Sequence, residues 1–297
     1  MKIGMFFFLF LAKLMLPKLM KKIILVSFLF LTVVSFAQKK EKIKGSRIVK
    51  LEQKKIENFE SLEVEDNLEV FLVKGNECGL EIEADDNLID FVDFKISGKN
   101  LRISLSRDIS SFKKLSIRVT YTDKFNLVNA KNETNVTSLT EVSLDNITFK
   151  SYDYAKLFLN AKTKNFTLMA NDKSKVELNL KSDKTTIDIS KSAYVKALIT
   201  SSEMRFDMYQ KSYADIEGDV LDLKLRLDNN TDFTGKKLTA KNALLETSGY
   251  SKTRINISNA VTINASGNSE IELFGEPKID LKHFTENAIL KKKSLKN

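Results

Sequence analysis

The sequence predicts an all-β chain built around a β-solenoid of about seven coils, and three observations carry that prediction. Apolar residues recur in columns about nineteen residues apart over 147–275, the columns come in pairs two residues apart, and polar turn formers separate the pairs. A spacing of two returns side chains to one face of a strand. A fixed period of about 20 residues made of short strands is the signature of a solenoid, in which stacked coils bury what one coil alone leaves open.

The first column runs Phe149, Leu168, Ile187, Phe206, Leu225, Leu245, Ile263, with steps of 19, 19, 19, 19, 20 and 18. Two residues later comes Ser151, Ala170, Ile189, Met208, Leu227, Thr247, Ala265. The third column is Leu157, Val176, Val195, Ala214, Phe233, Thr253, Ile271, and the fourth Leu159, Leu178, Ala197, Ile216, Gly235, Ile255, Leu273. Each unit reads as strand, turn, strand. Asn171-Asp172-Lys173-Ser174, Asp228-Asn229-Asn230-Thr231 and Ser266-Gly267-Asn268-Ser269 supply turns, because these residues tolerate positive φ or bond their own backbone.

Toward the N-terminus, residues 1–37 read as a targeting segment. Met20-Lys21-Lys22 is a basic start, 23–36 an apolar run, and Ser35 and Ala37 are the small residues before a cut at Gln38. Residues 1–19 read as an extension from an upstream start. The apolar run is short for a membrane span and no stop-transfer segment follows, so the mature chain is expected to be exported, without a span, to the periplasm, the cell surface or the medium. No cysteine stands at the cut, which excludes a lipoprotein anchor. Residues 38–58 are charged, lack a sustained apolar period and read as a mobile leader.

Alternation begins with Leu62, Val64, Leu68, Val70 and Leu72. In the cluster that follows, Asp86 or Asn87 is a candidate cap for one helical turn at 88–92. Ser97-Gly98-Lys99-Asn100 between two alternating runs predicts a hairpin. Irregular spacing makes 59–122 either the first, decorated coils or an antiparallel cap. Residues 126–140 form a degenerate coil with Val128 and Val136 in register, and the solenoid is assigned to 123–276. In 277–297, Ile279, Leu281 and Ile289 are candidates to close the far end before a basic tail.

Phe59-Glu60-Ser61-Leu62-Glu63-Val64, the Asp86-Asn87-Leu88-Ile89 cluster, Leu101-Arg102-Ile103, Ser248-Gly249-Tyr250-Ser251, Ser266-Gly267-Asn268-Ser269 and Gly275-Glu276-Pro277 together resemble the head GIN domain family, described as adhesin heads of exported Bacteroidetes-type proteins. The resemblance covers about 59–276. It implies a single-stranded right-handed β-helix and no catalytic residues. Most turns depart from the family's Ser-Gly run, with Asn, Asp and Lys in its place.

Composition narrows the function. The net charge of +9 includes five lysines before residue 38, which leaves +4 for the rest, and there the signs alternate along the strands. That is a solvated face, not a nucleic-acid surface. One cysteine, Cys78, and one histidine, His283, rule out a disulfide framework within the chain and a cysteine-based zinc cluster. The phosphate-loop, nucleophile-elbow and H-E-x-x-H motifs are missing, and so is the calcium nonapeptide, so Asp172, Asp228 and Asn229 read as turn residues. Asp188 and Asp207, one coil apart, are the carboxylate pair that a polysaccharide lyase or hydrolase would need. Both read instead as solvated outward residues.

The sequence therefore predicts a non-catalytic binding or adhesion module with no cofactor or metal, whose partner is a polysaccharide or an envelope or surface protein. The candidate contact edge is Tyr152, Tyr154, Tyr194, Tyr213 and Tyr250 with Lys173, Lys191, Lys211 and Lys252, all of which fall at the turns. Tyrosine offers flat amphipathic area at low entropy cost, and rings beside cations suit sugars or acidic polymers.

Overall fold

The computed structural model describes residues 42–294. The targeting segment lies outside the described residues. The expectation of a mobile leader at 38–58 is corrected from residue 42 onward. β1 (Lys42–Lys44) pairs with residues 108–110, and β2 (Val49–Lys54) runs antiparallel to residues 80–85. The apolar side chains of this stretch are largely exposed, Ile48 and Leu51 among them, which is why no buried period marks it. It is held by backbone pairing and by Asp85. That buried carboxylate accepts from the backbone N–H groups of Arg47 (2.9 Å), Lys113 (3.1 Å) and Lys114 (3.0 Å), tying the leader to the loop before residue 115. Carboxylate oxygens that accept several backbone N–H groups in this way make charge-assisted bonds.

β3 (Ser61–Val64) and β4 (Glu69–Lys74) form one coil, β5 (Gly79–Asp85) leads to a 3₁₀ turn at Ile89–Phe91, and β6 (Val92–Ser97) and β7 (Asn100–Leu105) make the predicted hairpin. The 3₁₀ turn starts at Leu88 without a side-chain cap, and Asp86 and Asn87 bond Ser46 instead. β8 (Asp108–Ser110) is β1's partner, and β9 (Leu115–Tyr121) completes a second coil with β7. Next come β10 (Leu127–Ala130) and β11 (Asn135–Ser138).

Spatial order departs from chain order here. β3 lies between β7 and β10, and β4 between β9 and β11, all parallel, so the coil of 61–72 is sandwiched between the coils of 101–119 and 127–138. β5 then runs antiparallel to β9, and β6 antiparallel to β7. Residues 59–122 are thus both coils and antiparallel cap, and the cap covers the strand edges at this end.

β12 (Val142–Ser151), β13 (Lys156–Ala170), β14 (Lys175–Ile189), β15 (Tyr194–Met208), β16 (Tyr213–Leu227), β17 (Asp232–Thr247) and β18 (Lys252–Ala265) stack in parallel, one per coil. The result is a right-handed β-solenoid. Its first column is a continuous ladder, Leu101, Leu62, Val128, Phe149, Leu168, Ile187, Phe206, Leu225, Leu245, Ile263, and every one of these residues is fully buried. The third column likewise runs unbroken from Ile117 through Val70, Val136 and Leu157 to Ile271.

Each unit has the one turn that the sequence predicts, and on the other side of the coil the strand bends without a turn. In β13 the inward residues are Leu157, Leu159, Ala161 and Thr163, then two outward residues in succession, Lys164 and Asn165, then Phe166, Leu168 and Ala170. Two successive outward residues shift the alternation by one and bend the strand without breaking it. β14 bends at Asp183 and Lys184.

The turns from Asp153-Tyr154 to Asn229-Asn230 carry two consecutive positive φ values, as at Asp172 (53°) and Lys173 (63°), closed by Ser174 N–H donating to Asn171 O at 3.1 Å. Asp153-Tyr154, Lys191-Ser192, Gln210-Lys211 and Asn229-Asn230 repeat the geometry. This is the type I′ pattern that the turn composition anticipates. The turns at 248–251 and 266–269 carry one positive φ each, at Gly249 (64°) and Gly267 (69°). Behind each turn stands a small buried residue, Ala155, Ser174, Ala193, Ser212, Thr231, Ser251 or Ser269.

Beyond β19 (Glu270–Phe274), the described residues extend the stack rather than close it. β20 (Lys278–Phe284) pairs in parallel with β18, and β21 (Ile289–Lys292) with β19, adding one more coil. His283, expected outside the coils, sits opposite Asn264 within it.

Candidate functional site

The stacked turns build one edge of the solenoid, and all nine sequence-predicted residues lie along it. They do not form one row. Tyr194 and Tyr213 are rung neighbours in the ladder Lys175, Tyr194, Tyr213, Asp232, Lys252, with Tyr213 exposed and Tyr194 half-buried. Tyr154 and Lys173 occupy the second left-handed position of successive turns. The Lys173 ammonium lies 5.0 Å from the Tyr154 ring centroid and donates to its Oη at 2.9 Å. That bond raises the Lys173 pKa above its usual value.

Tyr250 stands at the corresponding place five coils on from Tyr154, about 24 Å away at the strand spacing, in a turn whose left-handed residue is Gly249. Lys191 is engaged with Asp172 at 3.3 Å, Lys211 is a central turn residue, and Tyr152 is half-buried. The structure therefore brings together two pairs, Tyr154 with Lys173 and Tyr194 with Tyr213, and spreads the rest along the edge.

A second feature lies where the strands bend. An axial groove of about 1100 Å³ crosses successive coils there, lined by residues from 143–145, 162–164, 181–183, 200–202, 219–221, 239–241 and 258–259. Five lysines and four aspartates line it, so the groove is close to neutral and offers donors and acceptors alternately. Lys162 and Lys181 are rung neighbours, and neither has an ion-pair or hydrogen-bond partner among the described residues. Like charges on adjacent rungs cost stability unless something neutralises them. On the groove floor, Ser201 Oγ accepts from Thr185 Oγ1 at 3.0 Å and stands 3.3 Å from Ser182 Oγ, whereas the buried Thr163 Oγ1 has no partner among the described residues. A buried hydroxyl without a partner marks a place where a ligand or water completes the bonding. Sequence reading misses this groove because its bends keep extended backbone and slip the alternation by one residue without a true turn. The signal present is the pair of consecutive polar residues, 164–165 and 183–184, at the nineteen-residue step.

The carboxylate pair needs a correction. Asp188 and Asp207 are rung neighbours, but Asp207 is not solvated: its side chain is 1% exposed. Arg205 folds over it, with Nε donating to Oδ2 at 2.8 Å, and its Oδ1 has no partner among the described residues. Burial and the neighbouring Asp207 charge push the Asp188 carboxyl up, against the pull of Arg205. An Asp207 oxygen held by an arginine is a poor nucleophile. A raised folded-state pKa means that the fold binds the Asp188 proton more tightly than the unfolded chain, so this group's contribution to stability falls as pH rises through that value. Asp188→Asn is accordingly expected to raise the melting temperature near pH 7, with the gain vanishing near about pH 3, below the unfolded carboxyl value. Thermal melts at the two pH values check the sign, and a variant less stable than wild type near pH 7 contradicts it.

No group of three or more His, Cys, Asp or Glu residues that could hold a metal ion occurs among the described residues, and no helix among them is long and apolar enough to cross a membrane.

With this geometry in hand, comparison with known proteins identifies the family. A family model described as "Putative auto-transporter adhesin, head GIN domain" matches residues 58–277, most of the chain. The chain belongs to the head GIN domain family. Solved structures share the fold of this head GIN chain. A putative adhesin from Parabacteroides merdae aligns with a TM-score of 0.61 at 16% identity, covering 85% of this chain and 100% of that one. A putative adhesin from Parabacteroides distasonis aligns at 0.61 and 14%, covering 84% and 100%. A protein from the same organism described as a putative lipid binding protein aligns at 0.63 and 14%, covering 85% and 100%. At these identities the likeness establishes the fold alone. No curated protein matches the chain.

Proposed function

We propose that this head GIN domain is a non-catalytic, adhesion-type binding module acting outside the cytoplasm, and that its partner is an extended glycan lying along the solenoid axis. The observation that carries this reading is the bend groove. It is long, nearly neutral and floored with hydroxyls, and among the described residues one buried hydroxyl and two adjacent lysines in it lack partners. Interleaved donors and acceptors suit sugar hydroxyls better than a polyanion, which favours a one-signed surface. The turn edge, with Tyr194 beside Tyr213 and Tyr154 capped by Lys173, supplies flat contact area as a second face. An exported chain would meet polysaccharide at the envelope, in agreement with the targeting segment read at 1–37.

The test is retention of the purified protein on a panel of neutral and acidic polysaccharides, with two variants. Lys162→Ser with Lys181→Ser is expected to weaken binding at least about tenfold, the loss of a few hydrogen bonds to charged groups. The triple change Tyr194→Ser, Tyr213→Ser, Tyr250→Ser reports the turn edge separately. If no polysaccharide is retained, the glycan reading fails. If glycan is retained and both folded variants bind like wild type, both faces are excluded as the contact.

A further inference from the structure

The two ends of the solenoid are finished differently. At the N-terminal end, β5 and β6 run antiparallel against the last coil and cover its edges. At the other end, among the described residues, β20 and β21 pair on one side only, with β18 and β19. Every residue of β20 is exposed. The continuation of the buried first column comes to the surface there: Leu281, on the rung after Ile263, is 49% exposed, Ile279 is 41% and Phe284 37%. An apolar stack ending in an open strand edge is a template for further pairing, and solenoid ends need a polar cap to stay single.

We infer that this end docks on the same end of a second copy, through antiparallel pairing of β20 with β20 about a two-fold axis centred on Leu281. Three features select that occupant. The N-terminal end finishes in antiparallel strands, β2 and β6, so a head-to-tail contact would not continue the parallel stack. A two-fold contact is self-complementary by construction, and β20 meets the requirement: centred on Leu281, Leu281 faces its own copy, and Asp280 faces Lys282 of the second copy twice over. Lys282 is the bulged residue of β20, unpaired with β18, and its ammonium stands 3.0 Å from Asp280, so both charges project on one side of the strand. Pairing shifted to centre on Asp280 would set aspartate against aspartate and Lys278 against Lys282.

Charge exchange tests both the contact and its register. Sedimentation of the purified protein at up to roughly 100 μM, where a contact of Kd about 1 μM is saturated, is expected to show a dimer. Asp280→Lys alone, or Lys282→Asp alone, replaces two attractive pairs by two repulsive ones and is expected to weaken the dimer by about tenfold or more. Mixed in equal amounts, the two variants are complementary again and should form a heterodimer. These residues are exposed, so both variants should fold, which circular dichroism verifies. A wild type that stays monomeric throughout, assemblies larger than a dimer, or single variants that dimerise like wild type would each overturn the proposal.

Discussion

Leu225→Asp is expected to cost the fold about 5 kcal/mol or more, enough to leave little native protein. Leu225 is fully buried between Phe206 and Leu245 in the central ladder. Truncating a buried leucine alone costs about 2–5 kcal/mol, and the carboxylate adds the penalty of a buried charge with no counter-ion in an all-apolar column. In a stacked solenoid that loss falls on both neighbouring coils, because each coil is covered only by the next. Leu225→Met is the control, and a volume-conserving swap should cost less than about 1.5 kcal/mol. Urea denaturation followed by circular dichroism measures both. An aspartate variant that melts like wild type means that the column is not internal.

Gly218→Ala is the second large effect, about 3 kcal/mol or more, and it arises from backbone rather than from burial. Gly218 has φ of 113°, and a Cβ there would stand 2.1 Å from the carbonyl oxygen of Ile199, its rung partner. Relief would require either leaving the positive φ, which disrupts the register shift between Asp215 and Gly218, or separating two coils. Strained φ in a residue with a side chain costs about 1–3 kcal/mol by itself, and the backbone clash adds to it. The same denaturation series reads the result, and a loss below about 0.5 kcal/mol would show that this rung is not packed as described.

The repeat was legible because its physics is local and periodic. Leu168, Ile187 and Phe206 announce their shared face by spacing alone, and Asp172 and Lys173 their turn by tolerance of positive φ. The N-terminal order was not legible. Placing 61–72 between 101–119 and 127–138 depends on pairing across long stretches of chain, and all three segments carry the same alternation. β2 escaped notice because its apolar residues stay exposed and its hold is an antiparallel ladder together with the bonds of one buried aspartate, Asp85. At the candidate site, the nineteen-residue step puts the tyrosines along the turn edge, but a single-residue offset decides the rung. Tyr194 and Tyr213 share a ladder; Tyr154 and Tyr250 hold corresponding places in their turns. Asp207 reads as an outward residue by parity, which it is, and only the fold of Arg205 over it shows that outward is not the same as solvated. The groove escaped because the alternation slips by one residue inside a continuous strand, and Asn165 and Asp183 at the slip resemble the other outward polar residues.

The account rests on unbroken ladders at a nineteen-residue step, and the most direct measurement of them is a distance between two outward positions of one ladder. Lys156 and Lys252 lie on the ladder that runs through Lys175, Tyr194, Tyr213 and Asp232, five rungs apart. With Cys78→Ser to remove the native thiol, spin labels at Lys156→Cys and Lys252→Cys should give a narrow dipolar distribution centred at about 24 Å, five strand spacings, broadened by the label arms. A broad distribution, or a centre displaced by two or more strand spacings, would contradict the stacked register and with it both proposed binding faces.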